Sequence, residues 1–264
     1  MDTGSNDGDL SVEAMKRADA LSALFDGPMD RAELMATLDV SRTTVHRLVR
    51  GLEARDLLVQ EGDEFTLSTF GRTVAAEVVT YRRRVTAAQR LQPFFETLTH
   101  PLADIEVDLF ADATLTESKP TNPYAPVARF MDLLRESETL RGFDTTTVAP
   151  IYVEDIRSEI LGGMETDVVY LSAVVEEMVA AYPDAIAAAA ESGQLTLSTH
   201  DDLPFGLAIF DDRVGLGGYD ETGLLSVFVD TDAPAAREWT LDRYRDYRAE
   251  AEPLDIVALT PDSS

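Results

Sequence analysis

The apolar positions at the start of the chain fall into three helical stripes and then change period. Ala14, Ala18, Leu21 and Phe25 recur at 4-3-4 spacing, one face of a helix over 10–25 with Ser11 as its N-cap and Gly27-Pro28 as its stop. Asp30 followed by Glu33 is a capping-box pattern and opens a second helix over 31–38, with Leu34 and Leu38 turned inward. Asp39-Val40 makes a short turn, and Ser41 caps a third helix running to about Ala54 on a stripe of Val45, Leu48, Val49 and Leu52. Leu57-Leu58-Val59 and Phe65-Thr66-Leu67 are β-type runs around Gln60-Glu61-Gly62-Asp63-Glu64, which predicts a hairpin with glycine in its turn. A long helix follows from Thr69 or Gly71. Its Val74, Val78, Tyr81, Val85 and Ala88 repeat at 4-3-4-3, the a/d rhythm of a coiled coil. Pro93 and Pro101 bracket the exit, so a domain boundary is expected near 95–104.

Beyond that point strands and helices alternate. Apolar, β-rich runs lie at 105–110, 144–149, 167–171, 195–199, 206–210, 213–217 and 224–229, and helical patterns at about 124–138, 151–161, 173–192 and 233–251. Such alternation predicts an α/β sheet domain with a mainly antiparallel cluster near 195–229, and an α+β chain overall.

Composition narrows the function. The 264 residues carry a net charge of −27 and 45% hydrophobic residues, which excludes a disordered chain. The absence of cysteine excludes disulfides, thiolate metal sites and cysteine nucleophiles. No run of about 18 apolar residues exists to span a membrane. The opening MDTGSNDGDL has neither the basic nor the apolar part of a signal peptide, so a cytoplasmic location is expected. Lys16 and Lys119 are the only lysines. Acid-rich, lysine-poor surfaces resemble those of proteins from extreme halophiles, where a Debye length of about 3 Å in molar salt screens self-repulsion. The alternative is an ordinary acidic protein. The charge is also uneven. Residues 1–92 hold 12 Lys+Arg against 15 Asp+Glu, residues 93–264 hold 10 against 34, and residues 41–90 hold 9 against 6.

That basic stretch coincides with the third helix. Arg42, Thr43, His46, Arg47 and Arg50 fall on the face opposite its apolar stripe, and no acidic residue lies between Ser41 and Gly51 in a chain with 49 of them. A helix set on its predecessor in this way can enter the major groove of DNA. There arginine reads guanine in bidentate fashion and hydroxyls meet bases or phosphates. The expected contacts are Ser41, Arg42, Thr43, Thr44, His46, Arg47 and Arg50.

The stretch AELMATLDVSRTTVHRLVRGLEARDLLVQEGDEFTLSTFGRTVA resembles winged helix-turn-helix regulators of the archaeal and bacterial type, over about residues 10–90. The resemblance implies double-stranded DNA as partner, no cofactor, and a homodimer built on the helix at 71–92, because one recognition helix reads only a few base pairs. The wing departs from the pattern: its tip is Glu61, Asp63 and Glu64 in place of basic residues, which leaves Arg72 as the better backbone contact. Three readings stay open beside this one. The winged helix serves protein contact instead, the long helix packs on its own C-terminal domain, and Arg82-Arg83-Arg84 is a solvated face paired with acids rather than a phosphate contact. A metal site is not expected, since His46, His100 and His200 lie far apart.

The remainder, about 105–251, resembles the middle domain of a methanogenesis regulator. The resemblance is carried by Ala111-Asp112-Ala113-Thr114, Pro123-Tyr124, Arg141-Gly142-Phe143, Leu203-Pro204-Phe205-Gly206-Leu207, Asp211-Asp212-Arg213-Val214-Gly215-Leu216-Gly217-Gly218 and Trp239. GLAIFDDRVGLGGYDETG is also similar to the core of phospholipase D-like domains. No His or Lys lies between 201 and 264, however, so the domain reads as a noncatalytic, degenerate relative of that fold. Asp112, Tyr124, Arg129, Arg141 and Asp211, at strand ends and helix starts, are the candidate ligand contacts; the alternative for each is a structural hydrogen bond.

The organisation expected is therefore a disordered start (1–9), a winged helix-turn-helix (10–70), a linker and dimerisation helix (71–100), an α/β effector or sensor domain (101–258) and a tail (259–264). The function expected is a homodimeric DNA-binding transcription regulator of a halophilic archaeon, not an enzyme, whose C-terminal domain senses a ligand or a partner. The alternatives are a winged-helix assembly module and a phospholipase D-like phosphodiesterase.

Overall fold

The first apolar stripe is carried by two helices, not one. In the computed structural model, which describes residues 4–98, 105–147 and 150–254, α1 (Gly4–Lys16) and α2 (Ala18–Asp26) meet at Arg17, whose φ −111° and ψ 18° leave the helix. Ser11, the expected cap, lies inside α1. The backbone ladder runs back to Gly4 because no proline interrupts it, so residues 4–9 are helical rather than disordered. Residues 1–3 lie outside the described residues, as do His100, Pro101 and the expected tail at 259–264.

The chain divides into two compact units, 1–86 and 87–264. In the first, α2 is followed by the two-residue β1 (Met29–Asp30) and α3 (Arg31–Leu38). The capping box forms as expected: Glu33 N–H donates to Asp30 Oδ1 and Asp30 N–H to Glu33 Oε2, both at 2.8 Å. Asp39 closes α3 in the left-handed region at φ 51°. Next come α4 (Arg42–Glu53), β2 (Leu58–Glu61), β3 (Glu64–Leu67) and α5 (Thr69–Arg90). The strands pair antiparallel in the order β1-β3-β2, with Gly62 at φ +67° in the turn. Leu21, Leu34, Val45, Leu52, Leu57, Phe65 and Ala75 form the core.

The second unit begins at Ala87, ahead of the junction expected at 95–104, because Leu91 and Phe94 are buried in its core. The short α6 (Gln92–Phe95) follows, then a 3-10 turn at Val107–Phe110, where a strand was expected. The order continues β4 (Thr114–Glu117), α7 (Ala125–Arg135), β5 (Thr139–Asp144), α8 (Val153–Leu161), β6 (Glu165–Leu171), α9 (Ser172–Ala181) and α10 (Pro183–Glu191). It closes with β7 (Leu195–His200), β8 (Gly206–Ile209), β9 (Val214–Tyr219), β10 (Leu225–Thr231), α11 (Pro234–Glu250) and β11 (Glu252–Pro253). Three expectations are corrected here. The strand at 144–149 ends where it was to begin, because the Asp144 carboxylate accepts the Thr145 N–H and turns the chain; residues 148 and 149 lie outside the described residues. The helix at 173–192 breaks at Tyr182, forced out of helical geometry by Pro183. β7 joins the sheet parallel to β6, with helices as the crossover, so the antiparallel cluster expected near 195–229 narrows to β8, β9 and β10.

The sheet runs β11-β7-β6-β5-β8-β9-β10-β4, parallel across β5-β6-β7 and antiparallel elsewhere. Alternation sends Phe143, Val169, Leu207, Leu216 and Val229 to one face, packed under α11 through Trp239 and Tyr244. Leu140, Val168, Ala208 and Phe228 go to the other, under α7, α8 and α10. No described helix is long and apolar enough to cross a membrane.

Candidate functional site

The N-terminus of α4 is built by two hydroxyls. Ser41, in extended geometry, accepts the Thr44 N–H at 3.3 Å, and the Ser41 and Thr44 hydroxyls lie 3.1 Å apart. Val45, Val49 and Leu52 are buried beneath the helix, while Arg42, Thr43, His46, Arg47 and Arg50 are exposed on the opposite face. Among the described residues none forms an ion pair with Arg42, Arg47 or Arg50. The neighbouring cations differ. Arg17 and Lys16 bind Glu13, whose carboxyl these hydrogen bonds hold down to about 2, and Arg55 lies 3.9 Å from the same carboxylate. Gly51 leaves room for that cluster, since a Cβ there would sit 2.6 Å from Arg17 Nη2. Acids therefore engage the basic residues beside the helix and leave its outer face positive.

Arg72, exposed at the start of α5, has its guanidinium 4.9 Å from the centre of the Phe25 ring, which fixes its direction. The hairpin tip is exposed and acidic at Glu61, Asp63 and Glu64. Arg82 pairs with Asp19 at 2.7 Å, so this member of the arginine triplet sits on a face matched by acid. Among the described residues no cluster of three His, Asp or Glu could hold a metal ion.

The five candidate ligand residues of the second unit are scattered. Asp112 and Tyr124 are exposed in connections, and Arg141 is exposed on β5. Arg129 is bound to the buried carboxylate of Asp230. Asp211 accepts the Glu138 and Thr139 N–H groups and the Thr139 hydroxyl, holding the start of β5. For Arg129 and Asp211 the structural alternative is what the fold displays.

A different set converges. A cavity of about 170 Å³ lies between the sheet and α7–α10, and none of the five lines it. Among its polar groups, Asp144 on β5, Tyr170 on β6 and Tyr219 on β9 come from the sheet. Tyr219 donates to Asp144 Oδ2 at 2.5 Å and the Thr145 N–H donates to Oδ1 at 2.7 Å. Burial pushes the Asp144 carboxyl up to about 6 in spite of these bonds, and it raises both phenols as well. Glycine makes the space: a Cβ on Gly206 would meet the Tyr219 hydroxyl at 2.9 Å and Asp144 Oδ1 at 3.2 Å. In the sequence these residues are separate strand ends. The nearest glycine signal in the sequence, Gly217-Gly218, reads as a tight turn or bulge more than as a ligand cradle.

Comparison with known proteins agrees with this division. Residues 6–90 match the family described as HVO_A0261 N-terminal domain, and residues 123–250 match that described as Methanogenesis regulatory protein FilR1, middle domain. No curated protein matches the chain in sequence. Among solved structures, TrmBL2, an archaeal chromatin protein, is similar at 15% identity and a TM-score of 0.44, over 93% of this chain and 99% of its own. The phospholipase D family member Nuc from Salmonella typhimurium is similar at 14% identity and a TM-score of 0.44, over 54% of this chain and 98% of its own. NucT from Helicobacter pylori is similar at 11% identity and a TM-score of 0.42, over 54% and 98%. By these two matches the chain joins a domain of the HVO_A0261 N-terminal type to a regulatory-protein domain of the FilR1 middle-domain type.

Proposed function

We propose that the chain is a homodimeric DNA-binding transcription regulator of a halophilic archaeon, working in the cytoplasm, with a second unit that senses a ligand or a partner. The observation that carries this reading is the outer face of α4, where Arg42, Thr43, His46, Arg47 and Arg50 are exposed and no acid intervenes, on a chain of net charge −27. Entry of α4 into a major groove puts Arg47 and Arg50 on base edges. Ser41, Thr43 and Thr44 at the positive end of the helix then meet phosphate, and Arg72 flanks them. The acidic wing is kept away from the backbone by its own charge. Dimerisation through 71–92 is supported by the exposure of Tyr81 and Val85 on α5. The low lysine content and acid excess suit molar salt, in which repulsion between protein and DNA is screened over about 3 Å.

The test is capture of sheared genomic DNA by the tagged full-length chain in molar KCl, followed by sequencing. Enrichment of one inverted-repeat sequence is expected. Recovery of all fragments in proportion to their abundance would overturn the reading.

A further inference from the structure

The cavity of about 170 Å³ between the sheet and α7–α10 is partly open to solvent, which gives a ligand a way in. A dry apolar cavity of roughly 150 Å³ accepts one benzene ring. The void in the second unit has the same scale but a different lining. Aromatic rings of Phe130, Tyr152, Tyr170, Tyr182 and Tyr219 surround it, and one carboxyl, Asp144, enters it from the sheet. Arg157 is the one cationic side chain on the lining among the described residues, and its Nε and Nη2 both donate to the Glu154 carboxylate.

We propose that this cavity binds a small apolar cation, an aromatic or branched aliphatic ammonium ion, with the Asp144 carboxylate as its counter-charge. This rests on the reading of the second unit as a sensor and gives that sensor its ligand class. Ring faces carry negative charge and attract a cation that has shed its water; a carboxylate at the end of such a cage adds a charge-assisted hydrogen bond. The Asp144 carboxylate accepts three bonds within the protein, from the Thr145 N–H at Oδ1, the Tyr219 hydroxyl at Oδ2 and the Thr146 N–H, and of its roughly four lone-pair sites keeps one for an ammonium donor. An anion of the same shape meets repulsion from Asp144 and has only an arginine already paired with Glu154. The ionisable groups facing the cavity are Asp144, Arg157 and the phenols of Tyr152, Tyr170, Tyr182 and Tyr219. Of these, Asp144 is the one whose charge changes near neutrality, when its carboxyl releases its proton at about pH 6.

The experiment is calorimetric titration of the full-length chain in molar KCl with 2-phenylethylammonium and, separately, 3-phenylpropionate, which differ chiefly in the sign of the charge. One ammonium ion per chain is expected to bind, more weakly as the pH falls through 6, with no binding of the carboxylate. Asp144→Asn, which keeps the size of the side chain, should weaken the ammonium about tenfold or more and remove the pH dependence. Ile186→Trp, which fills the cavity from α10, should abolish binding. Equal affinity for the two probes, no heat with either, or an Asp144→Asn variant with native affinity would overturn the proposal. DNA affinity measured with and without the ammonium separates the two readings. Unchanged DNA affinity on a saturated cavity removes the sensor role and keeps the site. Intact DNA binding by a chain that ignores the ammonium removes the site and keeps the regulator.

Discussion

Arg129 on α7 closes on Asp230 of β10 with two parallel hydrogen bonds, Nε to Oδ1 at 3.0 Å and Nη2 to Oδ2 at 2.8 Å. Arg213, just before β9, adds two more to Oδ2, at 3.1 and 2.6 Å, and the aspartate side chain is 0% exposed. A buried carboxylate with two guanidinium partners is satisfied only as a set, and removing one member strands charge inside the protein. Asp230→Asn is expected to lower stability by about 3 kcal/mol in urea unfolding. Arg129→Lys should lose much of the same, since an ammonium cannot form the paired bonds. Native-like midpoints for both would show that solvent already shares in the cluster.

Arg129 also shows where sequence reading stops. Its place at a helix start made it a ligand candidate, but its partner Asp230 is 101 positions away and is found only when β10 is laid beside α7. The local signals did better. The capping box of Asp30 and Glu33, the Ser41 cap, the glycine turn at Gly62 and the buried stripe of α4 depend on neighbours within four residues, and each is present. The cavity was invisible for the same reason that Asp230 was. Asp144, Tyr170 and Tyr219 come from three strands, and the register that joins them is a long-range property of the sheet.

On α4, Arg47 is exposed in the middle of the acid-free face. Arg47→Ala is expected to weaken binding to the enriched sequence by about 1–3 kcal/mol, with much less effect on random DNA, if the guanidinium reads a base. Arg72→Ala, by contrast, should weaken both sequences alike, as a backbone contact does. Fluorescence anisotropy at one fixed salt concentration reads both. An Arg47→Ala chain with native affinity removes that residue from the interface.

The raised carboxyl of Asp144 links stability to pH. It releases its proton near 6 in the fold, against about 3.9 in an unfolded chain, so between those values the folded chain binds more protons. The associated stability is fully present below about pH 4 and is lost as the pH rises through 6. Against Asp144→Asn, which does not titrate, the native chain should lose about 2 kcal/mol across that window, after allowance for the opening of the carboxyl to the cavity. Denaturant unfolding of both chains over the same pH range measures the difference. A difference that stays flat would show that the carboxyl is hydrated in the fold.

Gly71 sits near the start of α5, where helix propensity alone favours alanine by up to about 1 kcal/mol. The packing opposes this: a Cβ at Gly71 would lie 1.8 Å from the carbonyl oxygen of Leu57, which accepts the Ser68 N–H. Backbone cannot yield as a side-chain tip does, so Gly71→Ala should destabilise the first unit by about 3 kcal/mol. The sign decides between the two effects. A higher melting temperature for Gly71→Ala would mean that α5 and the hairpin are not in this close contact.

The long helix divides its apolar stripe between two uses. Ala75 and Val78 are buried in the core of the first unit, and Val74 packs against it. Tyr81 and Val85 continue the same repeat but are 56% and 37% exposed, so the single chain leaves them without cover. A repeat of this kind is completed by a second copy of the helix, each side chain entering a gap between residues of its mate. Light scattering of the native chain in molar KCl is expected to give twice the chain mass. Tyr81→Glu together with Val85→Glu should give the single mass, because like charges would then face each other across the seam, while the melting transition of the fold stays close to native. The double variant should bind one half-site as the native chain does and lose its preference for the inverted repeat. A native chain of single mass, or a double variant that still pairs, would place the dimer contact elsewhere or remove it.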